Sequence, residues 1–338
     1  MNILVTGGAG YVGTNLIPEL LKEGHNVKCL DRFFFGMDFF NSNKFEGRLE
    51  LIKDDIRWFN PKILENIELV FDLAALSNDP VGELNPEKTY EINHLGRKRV
   101  ATESKRAGVK QYVLASSASI YGQQDKIATE KSVVKPITAY SKANRNAEID
   151  VLKLHDNNFC VSAFRFSSLY GISPRMRFDI SVNEMVLNLF KNKKIVVRGK
   201  NNQRPFLHVK DAIDAYKLII NADPSKIGGE IFNVGSEAQN YSIGTLAEKI
   251  TKSINDDCVL EFGDNNDHRS YAASFEKIRD TLNYSPSRTL EQGSLEIYDS
   301  LMSGQISDSI ETITLKWYQH IQSNPELLKK HSIDGKFI

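Results

Sequence analysis

The sequence predicts an α/β protein: a Rossmann-type, doubly wound parallel sheet with a smaller C-terminal domain. Three observations predict it. A short apolar strand near the start runs into a glycine-rich turn and then a helix. Short apolar strands and helices go on alternating with brief connections, as in parallel sheets. The length of 338 residues suits one large α/β unit or two intimately joined domains.

The first strand is the apolar run Ile3 to Val5, as expected of a strand buried on both faces. Gly8-x-Gly10-x-x-Gly13 follows and opens a helix with Leu16, Ile17, Leu20 and Leu21 on one face. Glycine lets the backbone turn tightly and approach a pyrophosphate, and a helix N-terminus supplies N–H donors and partial positive charge. The second strand, "NVKCLDRF", ends at Asp31. A carboxylate there accepts hydrogen bonds from both ribose hydroxyls of an adenosine and repels a 2′-phosphate, which favours NAD over NADP; the neighbouring Arg32 softens that preference. "LELIKDDIR" gives a strand running to Asp54 and Asp55. "ELVFDLAALSNDP" gives another, ending in the small Ala74 and Ala75 where bulk would block a cofactor. "NPEKTYEINHLGRKRVATESKRAG" reads as one long helix, and "KQYVLASSASIYG" as a fifth strand.

Beyond "RFSSLYGISPRMRFD" the chain leaves the nucleotide domain. "KIVVRGKNNQRPF" reads as a hairpin ending at Arg204, "GGEIFNVG" as a strand rejoining the main sheet, and "SIGTLAEKITKSI" as an amphipathic helix. The tail after Leu301 carries no readable motif. The expected domains are 1–167, NAD-binding, with a returning segment near 204–235, and 168–338, substrate-binding, the two interleaved.

Composition narrows the function classes. The 43 basic and 43 acidic residues cancel, so no charge field points to nucleic acid or an anionic membrane. Cys29, Cys160 and Cys258 lie far apart and suggest neither a metal site nor a disulfide framework. With no targeting segment and no membrane-length apolar run, a soluble cytoplasmic protein without a metal is expected.

The ordered motifs "TGGAGYVG", "DDIR", "LAALSNDP", "EINHLG", "ASSASIYG", "RFSSLYG", "QRPFLHVKDAIDAY", "IFNVG" and "DHRSYAASFEKIRDTLNYSP" resemble those of extended short-chain dehydrogenases, the NAD-dependent nucleotide-sugar epimerase/dehydratase family. The resemblance covers essentially the whole chain. It implies NAD as cofactor, a nucleoside diphosphate sugar as partner and a homodimer, built through helices near 85–107 and 139–157. It implies that Gly7, Gly10, Tyr11 and Val12 meet the pyrophosphate, Asp31 and Arg32 the ribose region, and Asp55 and Ile56 the adenine. Leu73, Ala74, Ala75, Asn93, Ser116, Phe166 and Ser167 would line the cofactor channel. On the substrate side it places Ser77, Ser117, Ser168, Asn183 and the arginines Arg204 and Arg269, whose planar forks suit a diphosphate. Ser168 stands where the family commonly has Asn. His208 and Asp211 match a pair that is mainly structural.

The resemblance also assigns chemistry. Tyr140 matches the acid-base tyrosine and Ser117 the catalytic Ser/Thr. Family dehydratases carry a carboxylate just after that Ser/Thr; here Ala118 and Ser119 follow, which argues against 4,6-dehydration. What remains is hydride chemistry at a carbinol carbon, with Tyr140 taking the hydroxyl proton. The expected activity is epimerisation through a transient keto sugar. A dehydrogenase or ketoreductase, or a catalytically weak sugar-nucleotide-binding protein, are the alternatives. The third reading arises because "YSKAN" puts Asn144 where the family has lysine. Asn144 shares the tyrosine's face one turn on but supplies no charge, so Tyr140 is expected nearer its free pKa of about 10. Lys142 lies about 200° round the helix and faces away.

Overall fold

The computed structural model describes residues 1–40, 47–254, 258–263 and 269–338. Asp267 and His268, the start of one quoted motif, lie outside the described residues. Twelve strands are described: β1 (Asn2–Thr6), β2 (Asn26–Asp31), β3 (Leu49–Lys53), β4 (Leu69–Asp72), β5 (Gln111–Ser117), β6 (Cys160–Phe166), β7 (Ser168–Tyr170), β8 (Lys194–Arg198), β9 (Gln203–His208), β10 (Ile231–Val234), β11 (Asn240–Ser242) and β12 (Val259–Gly263). Seven form one parallel sheet in the order β10-β6-β5-β4-β1-β2-β3. The chain starts in the middle, winds to one edge, then crosses back, so the strand order reverses beside β1. Ligands of open α/β sheets bind in the crevice at such a reversal, outside the carboxyl ends of the strands. Thr6, Asp31, Asp72 and Ser117 are those carboxyl ends.

Both faces of the sheet are covered, which is why its central strands β1 and β4 are near-continuous apolar runs. The helices Gly13–Lys22 and Val209–Ile220 bury Leu16, Ile17 and Leu20 with Ile213, Tyr216 and Ile219 on one face. Arg97–Arg106 and Ala139–Leu152 bury Val100, Ala101, Ala147 and Val151 on the other. Each such valine, leucine or isoleucine side chain is worth about 1.5–3 kcal/mol when fully buried. β10 does rejoin the sheet, beside β6, with Phe232 opposite Phe164. A separate core gathers Val186, Ile195, Val197, Leu246, Ile250 and Ile297.

Two elements depart from the sequence reading. The helix expected over 85–107 is interrupted: Pro86–Tyr90 and Arg97–Arg106 flank a π-helical stretch, Glu91–Gly96. The widened turn admits an extra residue and keeps both Asn93 and Arg97 facing inward; they are 0% and 1% exposed. The expected hairpin over 194–206 is not one. β8 pairs in parallel with β12, while β9 runs between β11 and β7. The reason is burial. β8 alternates, with only Ile195 and Val197 inward, and suits a two-stranded edge. β9 is buried along Arg204–His208 and needs partners on both sides.

Candidate active site

The crevice at the strand reversal is a cleft of about 800 Å³. Its first wall is the glycine turn. Gly7 has φ +66°, and a Cβ there would lie 2.7 Å from the backbone of Ala74, so the β1 and β4 ends close together only over glycine. A Cβ on Gly13 would lie 2.4 Å from Gly8 O, so the helix packs directly on the loop. That helix has no side-chain cap, leaving its N-terminus suited to an anion. Beneath it lies Arg175, 4% exposed, with Nε and Nη1 lacking hydrogen-bond partners and the guanidinium stacked 3.7 Å from the Phe35 ring centre. Burial, and then the charge of Arg177, lower Arg175 to about 9. This uncompensated positive charge under a glycine cradle fits a pyrophosphate.

Asp31 closes β2. Its carboxylate accepts from Ala9 N (3.0 Å) and Phe33 N (2.7 Å), fixing it against the glycine loop. Burial raises its pKa, and those backbone donors pull against the rise. Asp55 lines the cleft beyond, but its carboxylate is occupied by Arg57 and Arg32, the latter at 2.6 Å. Burial works to raise Asp55, and Arg57 and Arg32 outweigh it and hold it below the usual range.

At the centre stands Tyr140, in the first turn of the helix Ala139–Leu152, which Thr138 caps by accepting from Ser141 N at 3.1 Å. Tyr140, Ser117 and Asn144 all line the cleft. Burial, then the charge of Asp79, raise the tyrosine; the hydrogen-bonding reach of Ser117 and the charges of Arg97 and Arg177 oppose the rise. The missing lysine charge therefore has a substitute remote in sequence. Arg97 donates to Asn144 Oδ1 at 2.7 Å through Nη1, to Asp72 Oδ2 at 3.2 Å through Nε, and to the Asp72 and Ala115 carbonyls through Nη2. Asn144 passes on a hydrogen bond to the Tyr140 carbonyl at 3.1 Å. Asp72 is held in turn by Thr6 (2.5 Å) and Tyr112 (2.6 Å). Lys142 is exposed.

At the far end Arg204 and Arg269 both line the cleft. Arg204 donates to the Gln203 and Arg269 carbonyls and stacks on Tyr271. Arg269 forms an ion pair with Asp79, and Asp79 also accepts from Thr138. Arg177, 6% exposed, pairs with Asp179 at 2.8 Å and reaches Ser77 O at 3.0 Å and Ser77 Oγ at 3.2 Å.

The cleft thus brings together Gly7, Gly10, Tyr11, Val12, Asp31, Arg32, Asp55, Ile56, Leu73, Ala74, Ala75, Ser77, Ser116, Phe166, Ser167 and Ser168 with the central and distal residues. Asn93 and Asn183, also expected at the site, lie behind its lining. Asn93 clips the Leu76 backbone through both amide atoms, at 2.8 and 3.0 Å. Asn183, wholly buried, accepts from Gly171 N at 3.0 Å and donates to Arg177 O at 2.8 Å. Each is spent on shaping a wall. The sequence reading missed Asp79, Arg97, Arg175, Arg177 and Asp179. The charged run "PRMRFD" at 174–179 was the visible signal for three of them; Arg97 in a polar helix had none. Among the described residues no cluster of metal-ligating side chains occurs, and no helix is long and apolar enough to cross a membrane.

The similarities to known proteins follow this geometry. The chain is 28% identical over 310 residues to UDP-glucuronic acid decarboxylase 4 of Arabidopsis thaliana, covering 87% of this chain and 67% of that one. It is 28% identical over 314 residues to UDP-glucose 4-epimerase of Lactobacillus helveticus, covering 85% and 92%. The solved structure of MoeE5 in complex with UDP-glucuronic acid and NAD matches with a TM-score of 0.79 and 25% identity, over 90% of this chain and all of that one. A family model, the NAD dependent epimerase/dehydratase family, matches residues 3–235, and with the glycine cradle and the Tyr140 centre in place the chain belongs to that NAD-dependent enzyme family.

Proposed function

We propose that the protein epimerises a nucleoside diphosphate hexose through a transient keto sugar. The observation that carries this reading is the convergence of Tyr140 and Ser117 on one cleft, with no carboxylate at the two positions after Ser117. NAD, held along Gly7–Val12 and Asp31, would supply reversible hydride acceptance. Tyr140 takes the carbinol proton and returns it, and Ser117 orients the same oxygen. Arg97, bridged to Asn144 and paired with Asp72, opposes the burial that raises the Tyr140 phenol without reversing the rise.

Arg204 and Arg269 are assigned to the diphosphate, and 168–338 with the interleaved segment near 204–235 to the sugar-nucleotide half. A homodimer fits the exposed Leu95 and Ile149 (53% and 38%) beside the helices over 86–106 and 139–152; light scattering in solution tests it. The deciding experiment is proton NMR of the protein with UDP-hexoses and UDP-uronic acids. An inverted ring stereocentre is expected, with no net NADH. A 4-keto-6-deoxy sugar, or a pentose formed by loss of carbon dioxide, overturns the reading; accumulating NADH would favour a single-transfer oxidoreductase.

A further inference from the structure

The segment 310–338, which offered no motif in sequence, crosses the mouth of the cleft from its centre to the Asp31 end. It is anchored first beside Arg175 and Asp179: Phe178 N donates to Thr312 O at 2.9 Å, Thr314 N to Asp179 Oδ2 at 3.2 Å, and Arg175 Nη2 to Thr314 Oγ1 at 2.9 Å. The helix Thr314–Ser323 then places Trp317 Nε1 2.7 Å from Phe34 O. Phe34 sits edge-on between Tyr318 (5.3 Å) and Phe337 (5.1 Å). Beyond the helix Pro325–His331 the backbone reaches Arg32, whose Nη2 donates to both His331 O and Lys336 O at 2.9 Å. Tyr318, Phe337 and Ile338 become part of the cleft wall.

The consequence falls on Arg32. It adjoins Asp31 and would be the natural cation for a 2′-phosphate on the ribose. Here Nη2 is spent on two carbonyls, Nη1 on Asp55, and Nε is buried with no partner and out of solvent's reach. Its charge is neutralised by Asp55 in a pair that is 8% and 5% exposed. A 2′-phosphate would meet the Asp31 carboxylate with the adjoining Arg32 already spent on other partners. We propose that segment 310–338 is a cofactor-discriminating strap: it closes the adenosine end of the cleft and, by holding Arg32 away from the ribose, excludes NADP. This rests on the placement of NAD adenosine at Asp31.

The test uses the full chain, a deletion of residues 332–338 that removes the Lys336 carbonyl, Phe337 and Ile338, and the point variants Trp317→Leu and Phe337→Ala. Dissociation constants for NAD and NADP are measured by calorimetry, and retention of NAD through gel filtration is followed by mass spectrometry. The full chain should keep NAD and prefer it over NADP. In the deletion variant the NAD/NADP preference should fall by about tenfold or more, the scale of one well-placed charged hydrogen bond, and NAD should be lost on filtration. Arg32→Ala within the deletion should abolish the gain in NADP affinity. A deletion variant folded by circular dichroism with unchanged preference and retention overturns the proposal. If the deletion does not fold, unchanged preference in both point variants overturns it. A full chain that binds neither nucleotide overturns instead the placement of NAD at Asp31, whatever the strap does.

Discussion

The two ends of the cleft are built in opposite ways. At the Asp31 end the charged groups are sealed: Arg32 and Asp55 pair at 8% and 5% exposure, under aromatic rings delivered from some 300 residues away. At the Arg204 end the arginines sit against carbonyls, and Arg269 pairs with Asp79 at 25% and 16% exposure. A sealed pair is fixed by packing and has no reason to open. A partly exposed pair can exchange one anion for another at less desolvation cost than a sealed one. The architecture thus suits a resident ligand at one end and an exchanging anion at the other, with Tyr140 between.

The sharpest test of that division lies at the middle. Tyr140→Phe should lower turnover about 10²–10⁴-fold, the usual worth of a positioned acid-base group, while NAD affinity by calorimetry stays the same. Full turnover in this variant would mean another group carries the proton.

The next effect is structural. Arg97→Met leaves Asp72 buried without its ion partner and should cost about 3–5 kcal/mol in urea unfolding. Asn144→Lys, which from sequence alone should restore the family's cation, is expected to destabilise instead, because it sets an ammonium against the Arg97 guanidinium. The Arg97→Met/Asn144→Lys double variant should recover more stability than the two single changes predict, since the sites touch. Additive losses would show that the charges do not substitute for each other.

At the open end, Arg204→Ala and Arg269→Ala should each weaken UDP-sugar binding by about 1.5–3 kcal/mol and leave NAD binding alone. A loss of NAD affinity of equal size would erase the contrast between the ends. Arg269→Ala also frees Asp79 beside the phenol, so the rise of the Tyr140 pKa should grow and its limb in the rate profile should move to higher pH.

The smallest effect is on acid stability. Burial would raise Asp179, but Arg177 outweighs it and lowers the carboxyl from 3.8 to about 2. The folded state holds this proton less tightly than the unfolded chain. The stabilisation of about 2 kcal/mol is therefore complete above about pH 4 and is lost as pH falls toward 2. Asp179→Asn should flatten that part of the acid unfolding curve.

Most of the cofactor half was legible in sequence because its signals are local. Glycines at fixed spacing, an acidic strand end and small residues after β4 each carry their own reason. That Tyr140 and Asn144 face the cleft together was readable for the same cause, as helix spacing fixes which residues share a face. Arg97 was not, since its role depends on a π-helical turn that periodicity cannot reveal. The expected hairpin failed because β8 and β9 share a tight turn at Gly199–Asn202 yet find partners far along the chain. The strap was silent because its contacts to Arg32 are main-chain carbonyls, which leave no mark on residue identity.

The strand β10 has a consequence for how the molecule comes into being. One edge of β6 lacks its neighbour until residues 231–234 exist, and the Arg32 contacts join residues 299 and 304 positions apart. During synthesis the early strands can pair as they emerge, but the wall over Asp31 closes only after residues 331 and 336 have followed. Contacts of such sequence separation are slow to form. The newborn chain therefore passes through a stage with its sheet largely assembled and the adenosine end still uncovered, which would leave a window for a dinucleotide to enter before the wall shuts behind it.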